Sequence, residues 1–248
     1  MAVIGFIGTG NMGGALARAA AKSPLTERLL LANRTPEKAL RLAEVLGGEV
    51  VDNAAAARLS DVLFLAVKPQ MLRAMVPDIL GELHARGRVL IVSMIAGWTV
   101  DELAKLLGVA SVVRIMPNIP VAVGGGVTML CASDAVTAEE KALVSELLSA
   151  SGMVSELSEP LMEAASGVTG CGPAFAAMFV DALADGAVAC GLPRKEAIAY
   201  AAQMMKGTAE LLLSTGEHPD ALRDRVCSPA AAPSRACASW RRAPSAPR

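Results

Sequence analysis

Residues 2–20 read AVIGFIGTGNMGGALARAA. The short, mostly apolar run at 2–7 predicts a strand covered on both faces. Gly8-Thr9-Gly10-Asn11-Met12-Gly13 then follows with the spacing G-x-G-x-x-G. Residues 11–23, rich in Ala and Leu, predict a helix. A glycine loop set between a strand and a helix is the context in which this motif binds a dinucleotide. Gly8 permits the tight turn. Gly10 lets the backbone approach a pyrophosphate, and Gly13 lets the helix pack closely on the strand. The helix start adds unpaired N–H groups and about half a positive charge.

A second strand, 28–32, ends at Asn33-Arg34-Thr35. An NAD site usually places Asp or Glu here to accept from the ribose 2′-OH. This chain has no carboxylate there. Arg34 can grip a 2′-phosphate, and Asn33 and Thr35 can donate to it, which favours NADP(H) over NAD(H). Thr35 and Pro36 suit the N-cap and first position of the next helix.

The alternation continues. Strands are expected at 50–51, 61–67, 88–93 and 111–116, with Lys68-Pro69-Gln70 ending the second of these and Ala96-Gly97 turning the chain after the third. Helices are expected at 100–107 and 138–151, and 127–131 is expected to be the last strand. Strands alternating with helices at short spacing predict an α/β fold, a Rossmann domain with a mostly parallel, doubly wound sheet. From 161 to 214 the chain is almost all helix-forming, broken at Gly170-Cys171-Gly172-Pro173 and at Gly191-Leu192-Pro193. These helices are apolar on more than one face, so they belong in a core or against a second subunit. The expected division is a Rossmann domain at 1–155, an all-α dimerisation domain at 156–228, and an unstructured basic tail at 229–248.

Composition narrows the function. Net charge is −1, with 19% charged and 3% aromatic residues. That argues against a basic nucleic-acid binder and against an aromatic stacking platform. Mean hydropathy is +0.46, but no uncharged apolar run of about 18 residues is present, so no membrane span is expected. The N-terminus lacks a basic signal region, and the five cysteines show no metal-ligand spacing. Reduced thiols in the cytoplasm are the expectation, with no metal. His84 and His218 are the only histidines, too few for a histidine metal site.

Taken in order, several segments resemble pyrroline-5-carboxylate reductase, from Ile4 to Ser228. They are Ile7 to Gly13; Asn33-Arg34-Thr35; Ala66-Val67-Lys68-Pro69-Gln70; Met116-Pro117-Asn118-Ile119-Pro120; Gly170 to Phe175; Asp181 to Asp185; Gly191 to Arg194; and Gly216 through Ser228-Pro229. The resemblance implies reduction of pyrroline-5-carboxylate to L-proline with NAD(P)H, by a homodimer or higher homo-oligomer. It implies a cofactor held by Ile7, Gly8, Thr9, Gly10, Asn11, Met12 and Gly13, by Asn33, Arg34 and Thr35, and by Asn53, Val67, Lys68, Pro69 and Ala96. Asn118, Glu159, Gly172 and Ser228 are the implied substrate residues.

The family continues after Ser-Pro with Gly-Gly-Thr-Thr-Ile-Ala-Gly, a loop that donates N–H groups and a threonine hydroxyl to the substrate. Here Ser228-Pro229 is followed by Ala230-Ala231-Ala232-Pro233-Ser234-Arg235. The threonine is missing, so no catalytic residue is assigned. A single-nucleotide frameshift would explain the departure. With GC-rich codons for 229–246, the shifted frame reads Gly-Gly-Gly-Thr-Ile-Ala-Gly-Val-Arg-Val-Leu-Glu-Ala-Gly-Ala-Phe-Gly. The synonymous codons are chosen, and the single Trp240 codon fixes only the last two bases of the Leu codon. Two alternatives stay open: a catalytically impaired NADP-binding protein, and a reductase of the β-hydroxyacid dehydrogenase type. The latter needs a catalytic lysine in the helical domain, where the neighbours of Lys206 do not match.

Overall fold

The computed structural model describes residues 1–227; Ser228 and the divergent tail, 229–248, lie outside the described residues. By its contacts the chain divides into two compact units, Met1–Pro173 and a second beginning at Ala174.

The first unit is a sheet wound by helices. Its first half runs β1 (Ala2–Ile7), α1 (Asn11–Ala20), β2 (Thr26–Ala32), α2 (Pro36–Leu46), β3 (Glu49–Val50), α3 (Asn53–Leu59), β4 (Val62–Leu65) and α4 (Pro69–Arg86). There follow β5 (Leu90–Ser93), α5 (Val100–Leu107), β6 (Val112–Pro117), β7 (Gly126–Ala132), α6 (Ala138–Leu148), β8 (Gly152–Glu156) and α7 (Glu159–Thr169). The strand order is β3-β2-β1-β4-β5-β6-β7-β8. All pairs are parallel except β6 with β7.

Side chains alternate between two cores, because successive strand residues face opposite sides. Ile4, Phe6, Leu29, Leu31, Val62, Phe64, Leu90 and Val92 pack with α1, α2 and α6 on one face. Phe6 and Phe64 stack there at 4.4 Å between ring centroids. Ile7, Leu63, Leu65 and Ile91 pack with α3, α4, α5 and Met162 of α7 on the other. Burial on both faces explains why these strands read as continuous apolar runs.

The expectation that 127–131 is the last strand is corrected: β8 follows it and pairs with β7. As the terminal strand of the sheet β8 is half exposed, so its sequence, Gly152-Met153-Val154-Ser155-Glu156, carries no sustained apolar run. The helix expected at 138–151 ends at Leu148 and tightens into a 3₁₀ turn. Thr35 stands at the N-cap of α2 with Pro36 behind it, but its side chain makes no capping bond.

The second unit holds most of α8 (Gly172–Ala189), with α9 (Arg194–Thr215) and α10 (Pro219–Val226). Ala184, Ala197, Ala201 and Leu222 are buried, whereas Phe175, Met178, Tyr200, Met204 and Leu213 are exposed. Although it lacks a strictly uncharged run of that length, the stretch Glu159–Ala189 is long and apolar enough to cross a membrane by length and composition. Turns at Gly170 and Cys171 divide it into two helices.

Candidate cofactor site

The site is built at the carboxyl ends of β1, β2, β4 and β5. Chain order reverses at β1, which lies between β2 and β4. Such a switch point opens a crevice in which ligands bind.

The three glycines have separate structural reasons. Gly8 has φ of 102°, and a Cβ there would lie 2.6 Å from the Ala66 carbonyl oxygen. The β1 and β4 ends can approach only without a side chain at this position. Within α1, a Cβ on Gly13 would lie 2.1 Å from the Gly8 carbonyl oxygen and 2.8 Å from Ala66 Cβ. Gly10, the N-cap of α1, is different: nothing lies within 4 Å of an added Cβ. Its open side is where a ligand can come close to the backbone.

Around the loop, Ile7 is buried in the core, Asn11 is exposed and Met12 is half-buried. The buried Thr9 Oγ1 has no hydrogen-bond partner among the described residues. An unmade bond of this kind costs about 1–3 kcal/mol; Thr128 Oγ1 is a second such atom, and both are closed to solvent. Arg34 and Thr35 are exposed at the β2 end, and Arg34 makes no ion pair among the described residues.

Asn33 also has a structural role. Its Oδ1 accepts from the Thr9 N–H at 3.0 Å, and its Nδ2 donates to the Thr35 carbonyl at 2.9 Å. Its amide braces the glycine loop against the β2 end and keeps a second Nδ2 hydrogen for a ligand. Val67 is half-buried, and Lys68 and Pro69 are exposed, as N-cap and first residue of α4. Ala96 is exposed beyond the end of β5. Asn53 starts α3, and its Nδ2 donates to Asp78 Oδ2 of α4 at 3.1 Å; it ties two helices.

The expected substrate residues are scattered in role. Both ends of the Asn118 amide are engaged: Oδ1 accepts from the Val127 N–H at 2.8 Å, and Nδ2 donates to the Thr169 carbonyl at 2.9 Å. The side chain clamps the β6–β7 turn to the end of α7. Gly172 opens α8 with free space around an added Cβ. Ser228 lies outside the described residues.

Glu159 belongs to a cluster that the sequence reading missed. Its Oε1 accepts from Arg114 Nη1 at 3.0 Å and from the Val100 N–H at 3.0 Å. Arg114 Nη2 donates to Glu163 Oε1 at 2.9 Å. The Arg114 side chain is only 5% exposed. Burial works against its charge, but the bonds from Glu159 and Glu163 prevail and hold its pKa above the usual value. The neighbouring Cys131 thiol is pushed up to about 11, first by burial and then by the Glu159 charge. A signal was present in the sequence: Arg114 is a lone charge inside Val112-Val113-Arg114-Ile115-Met116, an otherwise apolar strand.

Comparison with known proteins agrees with this architecture. Residues 3–97 match a family model described as NADP oxidoreductase, coenzyme F420-dependent, and 159–243 match one described as pyrroline-5-carboxylate reductase dimerisation. Pyrroline-5-carboxylate reductase of Escherichia coli is 38% identical over 230 residues, covering 91% of this chain and 85% of that one. The chain belongs to the pyrroline-5-carboxylate reductase family. A solved reductase of this family from Coxiella burnetii superposes with TM-score 0.89 at 30% identity, over 97% of this chain and 90% of that one. The Plasmodium falciparum pyrroline carboxylate reductase, solved with NADP bound, gives TM-score 0.82 at 26% identity, over 97% and 89%. The glycine loop and the ends of β2, β4 and β5 thus fall within the oxidoreductase match, except that it stops at Gly97. The reductase dimerisation match begins at Glu159, the first residue of α7.

Proposed function

We propose that this chain binds NADP(H) in the β1–β2–β4–β5 crevice and is built to reduce 1-pyrroline-5-carboxylate to L-proline, the last step of proline biosynthesis. The observation that carries the cofactor is the glycine loop. Gly8 and Gly13 are required by packing, whereas Gly10 leaves open space at a helix start. The exposed Arg34 and Lys68 supply donors beside it. These residues fit a phosphorylated dinucleotide: the α1 N-terminus for the pyrophosphate, Arg34 for a 2′-phosphate. NADPH, when bound, supplies the hydride. The chain itself binds and orients; Asn33 holds the loop, and Val67, Lys68, Pro69 and Ala96 line the crevice. NAD(H) is the lesser cofactor on this reading, since no carboxylate stands at the β2 end.

Name-bearing relatives and the dimerisation match support a homodimer or higher homo-oligomer. The uncovered Phe175, Met178, Tyr200 and Leu213 support the same reading. The five cysteines, without metal-ligand spacing, are read as reduced thiols of the cytoplasm.

A second reading has its own observation. The residues after Pro229 lack the family's glycines and threonine, so the chain as written binds cofactor with little turnover. NADPH oxidation with pyrroline-5-carboxylate, run beside NADPH titration, separates the readings. Binding with turnover supports the reductase, and binding without turnover supports the impaired protein. Turnover with a hydroxy acid supports the β-hydroxyacid type, and no binding removes the cofactor assignment.

A further inference from the structure

The segment 96–99 links β5 to α5 beside a cavity of about 430 Å³, lined among others by Gly97, Trp98, Arg114, Glu159 and Glu163. Three contacts fix this segment. Trp98 lies against the guanidinium of Arg73, 5.1 Å from the ring centroid. Thr99 and Glu102 form a reciprocal capping box at the start of α5. The Val100 N–H, which the helix itself cannot satisfy, donates to Glu159 at 3.0 Å. Only the last contact depends on another strand, because the same Glu159 oxygen is held by Arg114 of β6.

Arg114 is the one charge on its face of β6. Its strand neighbours Val112 and Met116 pack in the α4–α5 core. Replacing a buried ion cluster by apolar groups is often neutral or stabilising, so stability alone does not call for arginine here. What arginine adds is direction. Its two nitrogens hold Glu159 and Glu163, one turn apart on α7, and so set where Glu159 meets the start of α5.

We propose that Arg114 is a positioning residue for the nicotinamide half of the cofactor, acting through Glu159 on the 96–99 segment. This rests on the cofactor reading above: with Arg34 at the β2 end taking the adenosine, Ala96 at the β5 end, three strands across the sheet, takes the nicotinamide end. On this proposal Arg114 acts through Glu159 and not by contact with the cofactor. The adenosine half, held by the glycine loop and Arg34, is independent of it.

Two probes test this on the full chain: NADPH, and 2′,5′-ADP, which carries the adenosine and 2′-phosphate without the nicotinamide. Arg114→Met is expected to raise the NADPH Kd at least tenfold and to shift bound-NADPH fluorescence towards that of free NADPH. The 2′,5′-ADP Kd is expected to stay within twofold. Arg114→Lys, keeping the charge without the two-pronged contact, should recover part of the loss. Wild-type NADPH affinity and emission in Arg114→Met would overturn the proposal. Should Arg114→Met lose both ligands through misfolding, Glu159→Gln decides: the same split supports the proposal, and equal effects on both ligands overturn it. A wild-type chain that binds neither probe defeats the cofactor reading and this proposal with it. Wild-type binding of both without a split in the variants defeats the positioning role alone.

Discussion

Replacing Gly10 by alanine separates cofactor approach from folding. Gly10 is the N-cap of α1, with φ −70° and ψ −168°, a conformation open to any residue. No atom lies within 4 Å of the added Cβ. The folding cost is then the poorer N-cap preference of alanine, under about 1 kcal/mol. For a chain of this size that lowers Tm by roughly 2–4 °C at most. Binding should suffer far more, because the methyl group fills the space through which the pyrophosphate reaches the backbone. Loss of one charge-assisted hydrogen bond costs about 1.5–3 kcal/mol, a rise in NADPH Kd of roughly 10- to 150-fold. Calorimetric titration with NADPH beside a thermal melt reads both quantities. Gly13→Ala is the control. Its Cβ would lie 2.1 Å from the Gly8 carbonyl oxygen, and overpacking of this kind costs about 1–3 kcal/mol of stability. A Gly10→Ala protein that binds NADPH as tightly as wild type would refute the assignment of that open space to the ligand.

Arg34→Ala should weaken NADPH roughly 10- to 150-fold, as expected for one lost charge-assisted contact, and leave NADH unchanged; equal losses in the two titrations would remove Arg34 from the 2′-phosphate. The Cys131 thiol, pushed up to about 11 by burial, gives a pH signature. Its folded pKa lies above the ordinary value near 9, so its contribution is full below about pH 9 and is lost as pH rises towards 11. Urea unfolding across that window should show a fall of roughly 2–3 kcal/mol that Cys131→Ala lacks, and parallel curves for the two proteins would discount it. Resequencing the gene should reveal the frame change after Pro229, and restoring Gly-Gly-Gly-Thr-Ile-Ala-Gly should raise turnover with pyrroline-5-carboxylate. An uninterrupted frame encoding 230–248 as written in several related isolates would end the frameshift explanation.

Much of the sheet was legible because its strands are covered on both faces. Residues 61–67 and 88–93 could only be core strands, and the structure trims them to Val62–Leu65 and Leu90–Ser93. β8 was not legible, since a half-exposed terminal strand keeps little apolar signal. At the site, Arg34 is exposed and without an ion pair among the described residues. The bracing role of Asn33 was not legible. Its neighbours in sequence favoured a phosphate role, yet its Oδ1 takes the Thr9 N–H from across the β1–β2 pair.

By itself the sequence determined the glycine loop, the wound sheet and the apolar helices after Glu159. Each depends on a local property: a turn that needs glycine, a strand run, a helical period. Tertiary structure alone decided what the polar side chains do. Arg114 meets Glu159, 45 positions on; Asn118 meets Thr169, 51 positions on; Asn33 meets Thr9, 24 positions back. The physical reason is that a buried polar group must find a partner, and which partner it finds is set by packing between elements that no short window of sequence contains.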